Sequence, residues 1–372
     1  MQRPKIELLL MTLGGVMAVG ILKWGFGGER AFDQAALGNH TVEYLAKSPQ
    51  GEPIHTVKQK PGEVQSMLTE TGKQDRVVMF FGNSQTHSIN QKKEGEVNYP
   101  EIIQRRHPEL SIRCHSIPNA NLQEFLVLLN WWSTSMEIDQ LFIPVFMDDL
   151  REDGLRQDFM PMIIEDDLKV SCTNQALSEK LNSELLRFKM PSDNAVVGGE
   201  SRNATLQDKT EKALNNWLGK RFKVWQNRPK ARGDFFMKLY QWRNTIFGIT
   251  ASTKRKMIPA RYEWNMSALE AIIKYANKNK IVINVYIPPI RNDVEVPYDP
   301  EEYQTFKAEV RKMTQSFGAT FSDFEGIVPG ELWGLKASTN SGAEPELDYM
   351  HFQALGHQIL ADALEPMVMP EP

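Results

Sequence analysis

The sequence predicts an α/β protein of three layers, a mostly parallel sheet covered by helices on both faces. Short apolar runs end at Gly or Pro, helix-forming segments separate them, and enough of the chain is apolar to fill a core. Arg76 to Phe81 (RVVMFF) is the first such run; it ends at Gly82, the pattern of a buried parallel strand. A helix is expected near Tyr99 to Arg106, a strand over Leu110 to His115, and an apolar helix over Leu122 to Trp132. Gln140 to Met147 (QLFIPVFM) gives a third strand. The pattern then changes. From Arg151 to Tyr275 the chain is long, charged and mostly helix-forming, with Trp217, Trp225 and Trp242 along it, and it reads as an inserted helical subdomain. Strand character resumes at Lys280 to Ile287 (KIVINVYI) and stops at Pro288-Pro289. A helix over Glu301 to Phe317, a short strand over Thr320 to Phe324 and a final helix over Phe352 to Met367 complete the order.

The expected division is therefore 1–27 as an N-terminal apolar segment, 28–75 as a linker with a short amphipathic helix near Gly62 to Thr71, and 76–150 as the first part of the core. Residues 151–275 are the helical insertion and 276–372 the second part of the core. Of 372 residues, 41% are hydrophobic and 24% charged, which places the chain among globular proteins rather than disordered ones. A formal net charge of −4 leaves no basic footprint for nucleic acid. Local basic clusters, such as Lys254-Arg255-Lys256, read as solvated faces. Cys114 and Cys172 lack metal-site spacing; one disulfide or two free thiols both fit them.

Arg3 and Lys5 precede an apolar run from Leu8 to Leu22, followed by Lys23 and Trp24 at the place where a membrane interface would be. Ile6 to Phe26 reaches the roughly 20 residues that a span needs. The favoured reading is an uncleaved signal anchor, a single N-terminal transmembrane helix with the body outside the cytoplasm. A cleaved signal peptide and a buried soluble helix are the alternatives.

Sites in open α/β sheets form at the carboxyl ends of strands. The first strand delivers Gly82-Asn83-Ser84-Gln85 to such an end. A serine hydroxyl becomes a nucleophile when a base takes its proton, and the usual base is a histidine oriented by a carboxylate. Near the C-terminus stands Asp348-Tyr349-Met350-His351. That spacing lets both side chains lie on one side of a turn, with Asp348 orienting His351 toward Ser84. The bland reading of each half is a helix cap; the pair, at opposite ends of one α/β pattern, points to a catalytic triad.

Phe81-Gly82-Asn83-Ser84 resembles the first sequence block of the SGNH/GDSL hydrolases, where Gly-Asp-Ser is usual, and Asp348-x-x-His351 with Gly356 and a terminal helix resembles their last block. The resemblance covers about residues 76–150 and 280–367, not the insert. It implies a three-layer α/β/α, SGNH-like (flavodoxin-like) fold with Ser84, His351 and Asp348 as triad. In layout the chain is similar to the membrane-anchored members that transfer acyl groups to cell-envelope polymers, such as the D-alanyl transfer proteins of teichoic acid and the alginate O-acetylation proteins. Ile287-Pro288-Pro289 is similar to theirs as well. The middle blocks depart from the family. Asn119, in Ile117-Pro118-Asn119-Ala120-Asn121, stands where glycine donates an amide to the oxyanion, and Asp148, in Phe146-Met147-Asp148-Asp149, stands where asparagine donates its side chain. An ionised carboxylate has no proton to donate. Asn121, Arg151 and Arg156 are the substitute candidates.

The expectation is thus an extracytoplasmic serine esterase or O-acyltransferase working on acyl esters through an acyl-serine, with envelope polysaccharide as the polymer and no cofactor or metal. The alternative is a non-catalytic SGNH-like module that binds glycan or docks on a membrane acyltransferase partner. Of the remaining polar residues, His87 reads as a helix residue near the site or a substrate contact, and His357 as structural. Asp148 with Asp149 reads weakly as a metal or acid/base pair, and Arg291 as a salt bridge or an anion contact. The insert's tryptophans read as packing or a sugar groove.

Overall fold

The computed structural model describes residues 40–69, 76–189, 250, 252–338 and 344–368. The expected anchor at 1–27 and Trp217, Trp225 and Trp242 lie outside them. Among the described residues no helix is long and apolar enough to cross a membrane. The chain divides into two units. One, Met1–Asn39 with Asp193–Thr250 and Ala337–Pro345, falls almost wholly outside the described residues. The other, His40–Ser192 with Ala251–Lys336 and Glu346–Pro372, holds every element below.

In chain order these are β1 (Thr41–Glu43), β2 (His55–Val57), α1 (Pro61–Thr69), β3 (Arg76–Gly82), α2 (Ser84–His87) and β4 (Ser88–Asn90). Then come α3 (Tyr99–Arg106), β5 (Leu110–Ser116), α4 (Leu122–Ser135), β6 (Gln140–Pro144), α5 (Pro161–Glu165) and α6 (Gln175–Lys189). The last group is α7 (Pro259–Lys278), β7 (Val282–Ile287), α8 (Pro300–Ser316), β8 (Thr320–Asp323), β9 (Trp333–Lys336), β10 (Glu346–Phe352) and α9 (Ala354–Val368).

Six parallel strands form one sheet in the order β2-β5-β3-β6-β7-β8. Alternation along β3 sends Val78 and Phe80 to one face, and Met79 and Phe81 to the other. Phe80 stacks on Phe142 of β6 at 4.6 Å, in the same cluster as Tyr99 of α3 and Leu360 of α9. Phe81 packs on Phe125 of α4 in the opposite cluster, which also takes Leu269 and Ile272 of α7. Both faces of β3 are thus covered, which explains its uninterrupted apolar run. From β3 the chain steps to β5 on one side, then crosses to β6 on the other, so a topological switch point lies at the carboxyl end of β3.

Three expectations change in detail. Residues 40–69 of the expected linker belong to the layered body, because β2 extends the sheet beside β5. Its sequence, His-Thr-Val, is too short and polar to show as an apolar run. The span expected as an insertion, 151–275, ends in α7, whose apolar face packs in the core just before β7. That helix is the crossover into β7; residues 190–249 lie outside the described set. Last, Asp348 to His351, expected as a turn before a final helix from Phe352, lies in strand β10 (Glu346–Phe352), paired antiparallel with β9 outside the main sheet, and the helix starts at Ala354. Cys114 and Cys172 are both free thiols.

Candidate active site

The turn after β3 is built for close approach. A Cβ on Gly82 would overlap the Thr86 side chain, so α2 can fold back onto the strand end only because residue 82 has none. Asn83 caps α2, its side-chain oxygen accepting from Gln85 N at 3.0 Å. Ser84 is the first helical residue, at the switch point.

His351 arrives from the other end of the chain on an irregular stretch of β10. Leu347 pairs with Leu335 and Phe352 with Trp333, so four residues of β10 lie opposite one of β9. The excess, which includes Asp348 and His351, bulges out of the ladder. Asp348 Oδ1 accepts from Met350 N at 2.9 Å and His351 N at 3.0 Å, so the carboxylate shapes the turn that carries the histidine. Asp348 Oδ2 lies 2.9 Å from His351 Nδ1, and His351 Nε2 lies 2.9 Å from Ser84 Oγ. The carboxylate only accepts, so the imidazole proton sits on Nδ1 and the Nε2 lone pair faces the serine hydroxyl, which donates to it. Burial opposes ionisation of Asp348, but the His351 ring and the two backbone N–H bonds outweigh it and hold its pKa below the usual carboxylate value. The Asp348 side chain is 1% exposed and that of His351 12%, so the orienting acid is shielded while the base can be reached. Asn90 Nδ2 adds a bond to Asp348 Oδ2 at 3.3 Å, and Gly334 leaves the room in which the Asn90 side chain stands.

The loop after β5 is organised differently. Ile117 N donates to the Gly82 carbonyl at 2.9 Å, fastening that loop to the serine turn. Asn119 has φ +52, the left-handed conformation that glycine adopts freely and asparagine tolerates best among other residues. The substitution of asparagine for glycine therefore keeps the backbone shape. Among the described residues the N–H groups of Ser84 and Asn119 have no hydrogen-bond partner.

The substitute donors named from the sequence are committed elsewhere. Asn121 caps α4 in a capping box with Glu124, and its Nδ2 donates to Gly154 O at 2.9 Å. Arg156 donates to the carbonyls of Pro118 at 2.8 Å and Asn119 at 2.9 Å, and grips the buried Glu124 carboxylate at 2.9 and 2.5 Å. It clamps the loop. Arg151 donates to Lys256 O at 2.9 Å and pairs with Asp148 at 3.2 Å. Asp148 also pairs with Arg255 and accepts from the Tyr298 hydroxyl, so it is the hub of an ion-pair cluster. Its neighbour Asp149 reaches the serine turn, accepting from Asn83 Nδ2 at 3.4 Å. Burial, reinforced by the Asp148 charge, pushes the Asp149 pKa well above the ordinary carboxylate value.

His87 is buried behind the serine. Its Nδ1 and His55 Nε2 each lie 2.7 Å from the Ser116 hydroxyl. Burial, with lesser contributions from His351 and Lys58, holds the His87 pKa down to about 3, so the ring is neutral. His357 is fully buried, 3.1 Å from Ser88 O through Nε2. Arg291 pairs with Asp293 at 2.8 and 3.0 Å. Among the described residues no group of three or more metal-ligating side chains occurs. Sequence reasoning missed Asn90 and Gln85, both single polar residues whose partners lie more than two hundred positions away.

No family model matches the chain, and no curated protein sequence matches it. Among solved structures, a provisionally assigned acylhydrolase from Bacteroides fragilis aligns over 84% of this chain and 96% of its own, at 11% identity and a TM-score of 0.37. An acetylxylan esterase from Geobacillus stearothermophilus aligns over 80% of this chain and 95% of its own, at 12% identity and a TM-score of 0.36.

Proposed function

We propose that this chain is a serine esterase or O-acyltransferase that opens acyl esters through an acyl-serine. The observation that supports it is the continuous line Ser84 Oγ, His351 Nε2, His351 Nδ1, Asp348 Oδ2, with 2.9 Å at each hydrogen bond. Ser84 Oγ attacks the ester or thioester carbonyl carbon while its proton passes to His351 Nε2. The N–H groups of Ser84 and Asn119 hold the oxyanion. The bond to the leaving alcohol or thiol then breaks, and His351 gives that group its proton. Water or a sugar hydroxyl next attacks the acyl-serine, its proton passes to His351, and Ser84 leaves with that proton restored. Asp348 stays ionised throughout and stabilises the imidazolium. Water as acceptor makes an esterase; a sugar hydroxyl makes a transferase.

The proposal extends to an extracytoplasmic body, at the cell surface or in the periplasm, held by an N-terminal helix and acting on acylated cell-envelope polysaccharide beside a membrane acyltransferase. The apolar run at Leu8 to Leu22 supports the location. A second reading, a non-catalytic glycan-binding or docking module, is favoured by one observation: Asn121 and Arg156 are committed to structure and Asp148 is a carboxylate.

A fluorophosphonate serine probe, applied to the full chain and to Ser84→Ala, separates the two readings. Labelling that disappears in the variant supports an activated Ser84. A folded parent that stays unlabelled leaves the binding module.

A further inference from the structure

Beside the triad, one buried carboxamide joins the serine turn to the histidine turn. Gln85 directly follows Ser84 and is 3% exposed. Its Nε2 donates to the Met350 carbonyl at 2.7 Å and to the Pro289 carbonyl at 2.8 Å. Met350 is the residue before His351, and Pro289 follows β7. Both partners are carbonyl oxygens, which only accept, so the amide nitrogen rather than the amide oxygen must face them. Both of its protons are then in use. The two receiving segments are also tied to each other, by Arg291 N donating to Tyr349 O at 3.1 Å.

We infer that Gln85 is a positioning residue that fixes the distance between Ser84 Oγ and His351 Nε2, an inference that rests on the serine reading above. The helix α2 has four residues, too few to hold an orientation by its own hydrogen bonds. Its amino end is set by Gly82 and the Asn83 cap. Nothing in those two contacts relates it to β10. The Gln85 side chain supplies that relation in one step, from the residue after the nucleophile to the residue before the base. Without it the tie between the two turns is left to the longer Asn90 to Asp348 bond, at 3.3 Å, and to the bond between the serine hydroxyl and the imidazole. That bond must break at each proton transfer, so a tether that does not take part in the chemistry keeps the pair in register.

The chemistry of position 85 gives a distinctive test. In Gln85→Glu the new carboxyl faces two carbonyl oxygens. Ionised, it has no proton to donate and is repelled; protonated, it donates to one of them. Its pKa is raised by that surrounding, so the tether is partly restored as pH falls. In Gln85→Leu the tether is absent at every pH.

The experiment measures the rate of fluorophosphonate labelling at Ser84 for the full chain and for Gln85→Leu and Gln85→Glu, with Ser84→Ala as blank. Circular dichroism establishes that each is folded. We expect Gln85→Leu to label at least roughly tenfold more slowly than the parent, given that a 1 Å misplacement typically costs about a hundredfold. For Gln85→Glu we expect the ratio of variant to parent rate to rise as pH falls from about 8 to about 5, the opposite of the fall that a new carboxylate would cause by only raising the His351 pKa. If Gln85→Leu fails to fold, the Gln85→Glu ratio decides alone. Parent-like rates in folded variants, or a ratio that is flat with pH, overturn the inference and leave the serine reading intact. A parent that is not labelled overturns the serine reading itself, and the inference with it.

Discussion

The two halves of the site use polar groups in opposite ways. On the triad side, Asp348 organises its own turn and still has an oxygen for His351, and His351 still has a lone pair for Ser84. Each group there is held by structure and keeps one valence for chemistry. On the loop side, the side chains named as donors have theirs taken: Asn121 by Glu124 and Gly154, Arg151 by the Lys256 carbonyl and Asp148, Arg156 by two carbonyls and a carboxylate. What remains on that side is backbone, the amides of Ser84 and Asn119. On this contrast, the proposed oxyanion contact rests on two backbone amides, with Arg156 holding the loop that carries one of them.

The largest effect is expected where the orienting acid is removed. Asp348→Asn keeps the volume but favours the wrong imidazole tautomer, and Ser84 labelling or ester turnover is expected to fall by about 10⁴-fold. A loss below about tenfold would show that the triad half is not acting as a unit.

Next comes the loop clamp. Arg156→Lys keeps the charge but loses the planar fork that reaches Pro118 O, Asn119 O and Glu124 together. Turnover of a chromogenic acyl ester is expected to fall by roughly 10²-fold, the order seen when an oxyanion donor is lost, mainly in kcat. An unchanged kcat would remove the Asn119 amide from the site.

Acid dependence gives a smaller and broader effect. Burial keeps His55, His87, His115 and His357 neutral, with the last three held at about 3. The unfolded chain takes up these protons near pH 6.5, while the folded chain does not, so stability falls as pH drops from about 6.5 toward about 3. Asp348, whose folded pKa is depressed, adds a further loss below about pH 4. Melting temperatures across pH measure this slope, and His357→Asn, which keeps a donor for the Ser88 carbonyl, is expected to flatten part of it.

The smallest effect is expected for Asp148→Asn, which introduces the asparagine usual in the SGNH/GDSL hydrolases that the sequence resembles. Because position 148 is held by Arg151, Arg255 and Tyr298, a gain in labelling rate is not expected. Thermal melting is expected to show a loss on the order of 1 kcal/mol from the two ion pairs removed. A rate increase would show instead that the side chain does turn toward the oxyanion.

Legibility followed the range of the signal. The runs at Arg76, Gln140 and Lys280 reveal strands because burial on both faces forces continuous apolar sequence, whereas the strand at Leu110 shows as an alternation, with Ser111, Arg113 and His115 between its apolar residues. The three-residue β2 and the β9–β10 hairpin carry no such run, and α7 looked like part of a charged insert because only one of its faces is buried. The juxtaposition of Ser84, Asp348 and His351 was readable because residue type and a local spacing of three pointed to it. The roles of Asn121, Arg151 and Arg156 were not, since each is decided by carbonyls and carboxylates from distant segments.

Local sequence was enough for strands β3 and β5 to β8, for the turn after Gly82 and for the Asp-x-x-His turn, since these depend on periodicity, a missing Cβ and a spacing of three. Only the tertiary structure decided that Asn119 takes the conformation of the glycine it replaces, that Arg156 clamps rather than donates, and that Gln85 ties the two turns together. The physical reason is that a polar side chain has several possible partners, and which of them it meets is set by the packing of segments far apart in the chain.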